Sequence, residues 1–485
     1  MPLSMVLARS ARGTPRSQRR LQKWVVILLF VVSLPAVTPR LYASDEIQYF
    51  SFLRSLWFDQ DLSFDNEYRY FHDRGIARAF GFEETFLELA TPTGRRYNFG
   101  TIGCALLWAP FYGVADISVR LMRAFGVSVA ADGFSRPYLR AVAYGSAFYG
   151  FLAVLLSMRA ARRLTGSSGR GQLAGLFVWF GTPLLFYMYV APGMAHACSA
   201  FAVAVFVNVW LQAREKWSTR GLIALGASGA LMVMVREQDV FFVLGPALDF
   251  AWTLGAGAWS GWSDRAGERL TAVLAAGAAF AVCYLPQGAA YLILNGRLGP
   301  PDYIANKMQW LAPYAGHVLL SPSHGLFLWT PLVLLCLAGL AAMAVTSSSP
   351  STKQVAICLG LMFAAQVYIS GSIDSWTVAG SFGQRRFVST TTILVIGIAA
   401  MLKLVTRQQS QVGLGMLLIG SVWWNLGLMA QFGSGMMDRQ RLEPARNAYN
   451  TFVIVPRALP GLVQRYLFDR SSFYAEPERY AEPEP

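Results

Sequence analysis

Residues 24–46, WVVILLFVVSLPAVTPRLYASDE, decide the fold of this chain. The stretch begins with an apolar run and ends in two adjacent carboxylates, Asp45 and Glu46. A bilayer span needs roughly 20 mostly apolar residues. Apolar residues at helical spacing follow the two acids. The stretch therefore predicts a membrane span near residues 24–41, followed directly by a helix that begins at the membrane surface.

The composition of the whole chain agrees with this prediction. The 485 residues are 54% hydrophobic and only 14% charged, whereas soluble domains carry about 25% charged residues. The net charge is +14, but much of the excess lies in short stretches between apolar runs, and we find no basic-aromatic module. The chain is therefore expected to be a polytopic membrane protein that binds no nucleic acid. Its five cysteines lie in apolar surroundings and are expected to be buried free thiols.

The basic N-terminus, residues 1–23, sets the orientation. Positively charged segments stay in the cytoplasm, so the span 24–41 is expected to emerge on the outer face. The alternative is a cleaved signal peptide with a cut near Ala43. That cut would place the bulky Leu41 where a small residue is needed, so we favour an uncleaved anchor.

The next part of the chain, residues 42–136, is predicted to be one large extracytoplasmic loop. Its apolar segment 101–123 is expected to be a juxtamembrane or partly inserted helix, because a full crossing would send the basic cluster at 159–164 to the outside. Further spans are predicted near residues 137–161, 171–190, 195–213, 221–235, 240–256, 270–292, 324–345, 354–370, 387–405 and 412–431.

The predicted fold class is therefore an all-α polytopic membrane protein with about eleven transmembrane helices and juxtamembrane helices in its long first loop. The transmembrane core occupies residues 137–431. The tail, residues 432–485, is expected to be extracytoplasmic, partly disordered and of little surface.

Basic residues on the outward loops break the positive-inside pattern. Arg236, Arg385, Arg386 and Lys307 are of this kind. Charged groups near membrane depth are costly and usually face a cavity or a partner, and the arginine fork matches phosphate oxygens. These four residues are therefore candidates for binding a lipid phosphate. The alternative is that they reach toward the interface or pair with neighbouring acids.

Four further residues are candidates for lining a substrate cavity: His196, His324, Tyr49 and Gln384. The scattered histidines do not argue for a metal cluster, so we assign no metal ligand, and a requirement for a divalent metal stays open. The D-x-D sequence at residues 59–61 is a weak match to the metal and nucleotide-sugar motif of soluble glycosyltransferases, and we discount it.

Asp45 and Glu46 have a structural and a catalytic interpretation. Ser44 is able to cap the following helix, and acids in a first turn complement the helix dipole. Alternatively, a carboxylate at this position deprotonates an acceptor hydroxyl while outward arginines stabilise a departing phosphate. Asp45 is then the base, with Glu46 as the neighbouring candidate.

Five segments, taken in this order, resemble one superfamily. They are SDEIQYFSFLRSLWFDQDLSFDNEY (44–68), YNFGTIGCALLWAPFYGVADI (97–117), YVAPGMAHACSAF (189–201), SPSHGLFLWTPLVLLCLAGL (321–340) and WTVAGSFGQRRF (376–387). Together with one basic tail and an acidic pair after the first span, they resemble the GT-C glycosyltransferases. That superfamily includes protein O-mannosyltransferases and the aminoarabinose transferase acting on lipid A, and the segments are most similar to uncharacterised bacterial members.

The resemblance implies a polyprenyl-phosphate-linked sugar donor and inverting transfer on the outer face of the bacterial inner membrane. It maps the loop-one acid of the superfamily onto Asp45 and the phosphate-binding residues onto Arg385, Arg386 and Arg236. The segment 59–70 and the helix 101–123 are expected to roof the cavity. The sugar and the acceptor, whether glycan, lipid or protein, are not indicated.

Two other functions are compatible with the sequence. A transporter or flippase of lipid-linked sugars predicts internal repeat symmetry, and we find no clear repeat. A non-catalytic membrane assembly factor predicts that Asp45 and Arg385 are dispensable. The glycosyltransferase is the hypothesis that uses both the acids and the outward arginines.

Overall fold

The structure is a computed structural model that describes residues 16–77, 79, 81–255, 266–302 and 306–470. Its α-helices are α1 (Arg16–Ser33), α2 (Ser44–Arg54), α3 (Asp65–Asp73), α4 (Gly103–Ala124), α5 (Arg136–Thr165), α6 (Ser168–Gly181), α7 (Leu184–Tyr189), α8 (His196–Ala213), α9 (Thr219–Val235), α10 (Leu244–Gly255), α11 (Ala266–Asn295), α12 (Ala315–Leu320), α13 (Leu326–Trp329), α14 (Leu332–Thr346), α15 (Pro350–Gly371), α16 (Thr391–Leu404), α17 (Gln408–Ser434), α18 (Pro444–Tyr449) and α19 (Val455–Phe468). Short 3₁₀ helices occupy Leu34–Ala36, Glu237–Val243 and Arg385–Thr390. Single π-helical turns occupy Ser55–Asp59, Glu84–Glu88 and Asn450–Ile454.

Seven of the described helices are long and apolar enough to cross a membrane. They are Gly103–Ala124, Arg136–Thr165, His196–Ala213, Gly267–Asn295, Pro350–Gly371, Arg385–Leu404 and Gln408–Ser434. Three shorter apolar helices are Trp24–Ala36, Thr219–Val235 and Leu332–Thr346. In the described part of the chain, β-structure is limited to two isolated bridges. The all-α polytopic fold class is confirmed.

The centre of the bundle is formed by α5, α8 and α16, which pack against one another. About four fifths of the apolar window of α8 and of the segment Arg385–Leu404 is buried (78% each), whereas only 11% of Gly267–Asn295 is buried. The helix α11 is therefore a peripheral helix with a wide exposed face. Glycines permit close helix contact, since a Cβ on Gly397 would lie 2.2 Å from the Cys336 carbonyl oxygen of α14.

The first loop is an ordered layer built on α2. Helix α2 buries its apolar face against α3 and α4 through aromatic contacts, in which Phe50 meets the edges of Phe71 and Tyr112. Arg54 at its C-terminal end binds Glu67 of α3 at 2.9 Å and also Asp59. This layer gives α2 a fixed position, so that its other face is held toward the bundle.

Helix α4 covers the segment that we predicted to be juxtamembrane or partly inserted. It is a single helix of 22 residues that packs against α2 and α5. Its length and composition also suit a full crossing. The predicted depth of this helix, like the domain boundaries and the number of crossings, therefore stays a prediction.

The segment after α17 is more structured than expected from the sequence. Helices α18 and α19 and the turn Asn450–Ile454 fold back against α17. The prediction that the tail offers little surface is wrong for this part, because α19 forms one wall of a cavity of about 1190 Å³. The N-terminal residues 1–15 and the Pro/Glu-rich end, residues 475–485, lie outside the described residues.

Candidate active site

A cavity of about 1190 Å³ opens between the first loop, the segment 379–385 and the C-terminal helices. Its charged lining residues are Arg40, Asp45, Arg385 and Arg439. The remaining wall is mostly apolar and aromatic, with α17 and α19 forming much of it. With three arginines against one aspartate, the described charged lining has a net charge of +2. The cavity therefore combines a cationic end with a long apolar wall.

Asp45 reaches this cavity because of its position in α2. The helix begins at Ser44, so Asp45 lies in the first turn. Tyr49 follows one turn later, and residues four apart share a helix face. The opposite face carries Ile47 and Phe50 and is fully buried. Helix α2 therefore separates a hydrophobic side, which anchors it, from a polar side that carries Asp45.

Arg385 meets Asp45 from the other side of the cavity. Its Nη1 lies 2.9 Å from Oδ2 of Asp45, and the side chains retain 22% and 44% exposure respectively. The same Nη1 also approaches the Sδ of Met194 at 3.8 Å. The structure thus brings together two residues that the sequence separates by most of the chain, and both line the cavity.

Arg386 lies outside the described cavity lining. Arg385 and Arg386 begin a 3₁₀ turn, in which three residues complete one revolution, so consecutive side chains diverge. Arg386 is 8% exposed and donates hydrogen bonds to the carbonyl oxygens of Ser370 and Ser375, at 3.3 and 3.1 Å. Its described contacts therefore join two segments of the fold, and it does not belong to the described cavity lining.

Glu46 caps the helix that carries Asp45. Its Oε2 accepts hydrogen bonds from the backbone N–H groups of Tyr42 and Ala43, at 2.9 and 3.1 Å. This is half of a capping box, since Ala43 at the N-cap has no side-chain acceptor. The expectation that Ser44 is the cap is wrong, because Ser44 is already helical. Glu46 is buried and is not part of the described cavity lining.

Burial raises the pKa of Glu46 to about 7, and the nearby Asp45 raises it further, against the lowering effect of the two backbone N–H groups. The unfolded chain releases this proton at about pH 4.5. Between these values the folded state binds more protons than the unfolded state, so the contribution of Glu46 to stability falls as the pH rises.

We therefore expect Glu46→Gln to become more stable relative to the wild type between pH 5 and pH 8. The amide keeps an oxygen that accepts the two backbone N–H groups but does not ionise. The gain at pH 8 is on the order of 3 kcal/mol. The measurement is the melting temperature of both proteins in detergent across this range. A difference between them that does not change with pH would contradict the assignment.

A second set of polar side chains near Asp45 consists of Arg236, His196 and Tyr49. Arg236 Nη1 donates a hydrogen bond to Nδ1 of His196 at 2.9 Å. Arginine has no acceptor, so Nδ1 of His196 is unprotonated. Burial and the charge of Asp45 raise the pKa of the Tyr49 hydroxyl, whereas Arg236 and Arg385 lower it. Tyr49 is therefore within electrostatic reach of Asp45 and both arginines.

His196 connects this group to the cavity. Its ring meets the edge of Tyr187 at 4.5 Å, and Tyr187 lines the cavity and donates a hydrogen bond to the Phe382 carbonyl oxygen at 3.2 Å. Tyr49, His196 and Arg236 are not themselves part of the described lining. They form a layer behind the residues that are.

Three other candidates have different surroundings. His324 is buried, with its ring stacked on Trp329 at 4.8 Å. Gln384 is buried and donates to the carbonyl oxygen of Trp376 at 3.1 Å. The backbone carbonyl oxygen of Lys307 accepts a hydrogen bond from the N–H of Asp374 at 3.0 Å. The described cavity lining includes none of these three residues.

Three residues of the cavity lining, Arg40, Arg439 and Tyr187, were not predicted from the sequence. Arg40 lies five residues before Asp45, and Arg439 follows the last long helix and stacks on Phe432 at 5.1 Å. Arg439 lies in the tail, where the predicted topology is extracytoplasmic, whereas Arg40 lies at the outer end of the predicted first span, 24–41. The rule that selected Arg236 and Arg385, an exception to the positive-inside pattern, would have selected Arg439 as well. Tyr187 had no comparable signal, because it lies within an apolar run.

The predicted roof is also different. Residues 59–70 and 101–123 are absent from the described lining, and the first loop contributes Gly75, Ile76 and Ala79 instead. Within the D-x-D sequence, Asp61 accepts hydrogen bonds from Ser55 and Ser63 in a local turn. Among the described residues, no group of three or more His, Cys, Asp or Glu side chains is arranged to hold a metal ion.

Comparisons with known proteins identify the fold. No protein-family model and no curated protein matches the chain by sequence. Among solved structures, the fold is similar to that of ArnT from Cupriavidus metallidurans bound to undecaprenyl phosphate. The TM-score is 0.51 at 15% sequence identity, and the similarity covers 94% of this chain and 79% of that chain. The chain therefore has a multi-pass, all-α fold similar to that of this structure, in agreement with the fold class that the sequence predicts.

Proposed function

We propose that this protein is a membrane glycosyltransferase that moves a sugar from a polyprenyl-phosphate donor to an acceptor hydroxyl, with inversion, on the extracytoplasmic face of the bacterial inner membrane. One observation carries the proposal. A single cavity joins the Asp45–Arg385 pair to an apolar wall made by the helices α17 and α19. The GT-C fold supports the same conclusion.

The size and lining of the cavity suit a lipid with a charged head. Pockets for drug-sized ligands measure roughly 300–1,000 Å³, and this cavity, at about 1190 Å³, is larger. Its apolar wall includes Leu426, Met429 and Leu462. ArnT, whose fold is similar, was crystallised with undecaprenyl phosphate. We therefore assign the hydrocarbon chain of the donor to the apolar wall.

The donor phosphate is assigned to the cationic end. Arginine binds phosphate through charge-assisted hydrogen bonds, often two at once. In the described structure, both polar contacts of the Arg385 guanidinium use Nη1, which leaves the donors on Nε and Nη2 for phosphate oxygens. Arg40 and Arg439 add positive charge to the same lining. Arg386, Arg236 and Lys307 are not needed as direct phosphate ligands in this arrangement.

The proposed reaction is a displacement at the anomeric carbon. The acceptor oxygen forms a bond to this carbon as the bond from the carbon to the phosphate oxygen breaks, and the bonding electrons leave with the phosphate. Asp45 accepts the proton of the acceptor hydroxyl, and the products are the glycosylated acceptor and polyprenyl phosphate. Arg385 stabilises the negative charge that develops on the departing phosphate.

The Asp45–Arg385 contact would couple binding of the donor phosphate to the availability of the Asp45 carboxylate as a base. A phosphate oxygen at the guanidinium competes with the Asp45 carboxylate for the same donor group. Its arrival would weaken the 2.9 Å pair and free Oδ2 to receive a hydrogen bond from the acceptor. Glu46 acts on this step only indirectly, by fixing the first turn of α2 through its bonds to Tyr42 and Ala43.

The direct test follows the bond between sugar and phosphate. The purified protein, reconstituted in vesicles, is incubated with polyprenyl-phosphate sugars labelled in the sugar and with a lysate-derived acceptor fraction. We expect release of sugar-free polyprenyl phosphate and transfer of label to the acceptor. Movement of the intact donor between leaflets without bond cleavage would instead identify a flippase.

A further inference from the structure

The helix α19 has a continuous apolar stripe that faces the cavity. The lining residues that it contributes are Val455, Leu459, Leu462, Val463, Tyr466 and Leu467. Their spacing of three and four residues places them on one helix face. Leu459, Val463 and Leu467 keep between 38 and 47% exposure although they line the cavity. This face presents apolar surface to whatever occupies the cavity.

The C-terminal end of α19 is fastened to the segment that follows α1. Tyr466 donates a hydrogen bond through its hydroxyl to the Ala36 carbonyl oxygen at 2.8 Å. Arg470 donates to the carbonyl oxygens of Val37 and Pro35, at 2.7 and 2.8 Å. We call these contacts of Tyr466 and Arg470 the C-terminal clasp. They hold the helix against the residues that lead to Asp45.

The clasped segment is itself connected to the cavity. The N–H of Thr38 donates to the Tyr189 carbonyl oxygen at 2.7 Å, and both Tyr189 and Arg40 line the cavity. The wall formed by α19 and the cationic end near Asp45 therefore share one support.

We infer that α19 determines which lipid the site accepts: Leu459, Val463 and Leu467 contact the isoprenoid chain of the donor, and the clasp positions them. The inference rests on the lipid-phosphate ligand of the proposed function. Each buried methylene strengthens binding by about fourfold, so a wall along the cavity favours long chains over short ones. The cationic end contributes equally to both, because their phosphates are the same.

The test compares two lipids that carry no sugar. Undecaprenyl phosphate and the short geranyl phosphate are titrated into the full-length protein in nanodiscs, and binding is measured for wild type, Leu459→Ala and Val463→Ala. Both substitutions are at half-exposed positions, so folding is expected to be retained. We expect each variant to bind undecaprenyl phosphate about 5- to 10-fold more weakly and geranyl phosphate within about twofold of wild type.

The clasp is tested by Tyr466→Phe, which removes one hydroxyl, and by Arg470→Gln. The matched control is Arg457→Gln, an exposed arginine of α19 outside the described cavity lining. We expect the clasp variants to reduce the preference for the long chain by about 3- to 10-fold, and the control to leave it unchanged. Equal loss for both lipids, or no loss for either, would overturn the inference.

The outcome is separate from that of the proposed function. If the wild-type protein prefers the long chain but transfers no sugar, the proposed reaction is contradicted and the role of α19 in lipid selection is supported. If the protein transfers sugar but its α19 variants bind both lipids as the wild type does, the proposed reaction is supported and the role of α19 in lipid selection is contradicted. A wild type that binds both lipids equally would overturn the inference directly.

Discussion

Asp45→Asn is expected to lower the turnover number for sugar transfer by about 10²- to 10⁴-fold, the usual contribution of general-base catalysis. Asparagine has nearly the same shape but does not accept the acceptor proton. Its amide oxygen still accepts a hydrogen bond from Arg385, which lies 2.9 Å from the native carboxylate. Binding of undecaprenyl phosphate is therefore expected to stay within about tenfold of wild type.

The measurement is single-turnover release of labelled sugar from the polyprenyl-phosphate donor, with lipid binding measured in parallel. Asp73→Asn is the matched control, because Asp73 is an exposed carboxylate of the same loop with 66% side-chain exposure and lies outside the described cavity lining. Full turnover by the Asp45 variant would reject Asp45 as the base. Equal loss in both variants would indicate a general effect on the loop.

Arg385→Ala is expected to weaken binding of undecaprenyl phosphate by about 10- to 100-fold, because a charge-assisted hydrogen bond contributes roughly 1.5–3 kcal/mol. Transfer is expected to fall further than binding, since in the proposed reaction the guanidinium also stabilises the charge that develops on the departing phosphate. Arg385→Lys keeps the charge but loses the planar fork, so it is expected to recover part of the binding and less of the turnover.

Arg386 provides the internal comparison for this prediction. It is adjacent in sequence, but its guanidinium binds the backbone oxygens of Ser370 and Ser375. We expect Arg386→Lys to lower the melting temperature while the folded fraction binds the lipid phosphate as the wild type does. Binding isotherms normalised to folded protein separate these effects. Loss of phosphate binding by the Arg386 variant, with Arg385→Ala unaffected, would reverse the assignment.

Much of the fold was predictable from the sequence because membranes impose strong constraints. Backbone groups in lipid must be satisfied internally, so long apolar runs such as 137–161 and 412–431 predict helices, and the structure has α5 and α17 there. The short apolar runs were harder to interpret. The predicted span 171–190 is divided between α6 and α7, with a break at Thr182 and Pro183, where proline removes a backbone donor.

The candidate site was predictable in part. The position of Asp45 after the first span, and of Arg385 in an outward loop, predicted that the two share a pocket, and they lie in contact. The same reasoning did not rank the basic residues. Arg385 and Arg386 have equivalent sequence signals, yet the turn of the 3₁₀ helix directs one to the cavity and the other to backbone carbonyls. Side-chain direction depends on the local helix geometry, which the pattern does not contain.

The sequence by itself determined the all-α membrane fold, the surface helix with its acidic first turn, and a set of basic residues suited to a phosphate. Only the tertiary structure decided which of them meet, that Glu46 caps α2, and that α19 walls the cavity. The reason is that hydrophobic periodicity reports only on residues one or two helical turns apart in the sequence. The contact of Arg470 with Val37 joins residues separated by 433 positions, and it exists only once the whole bundle has packed.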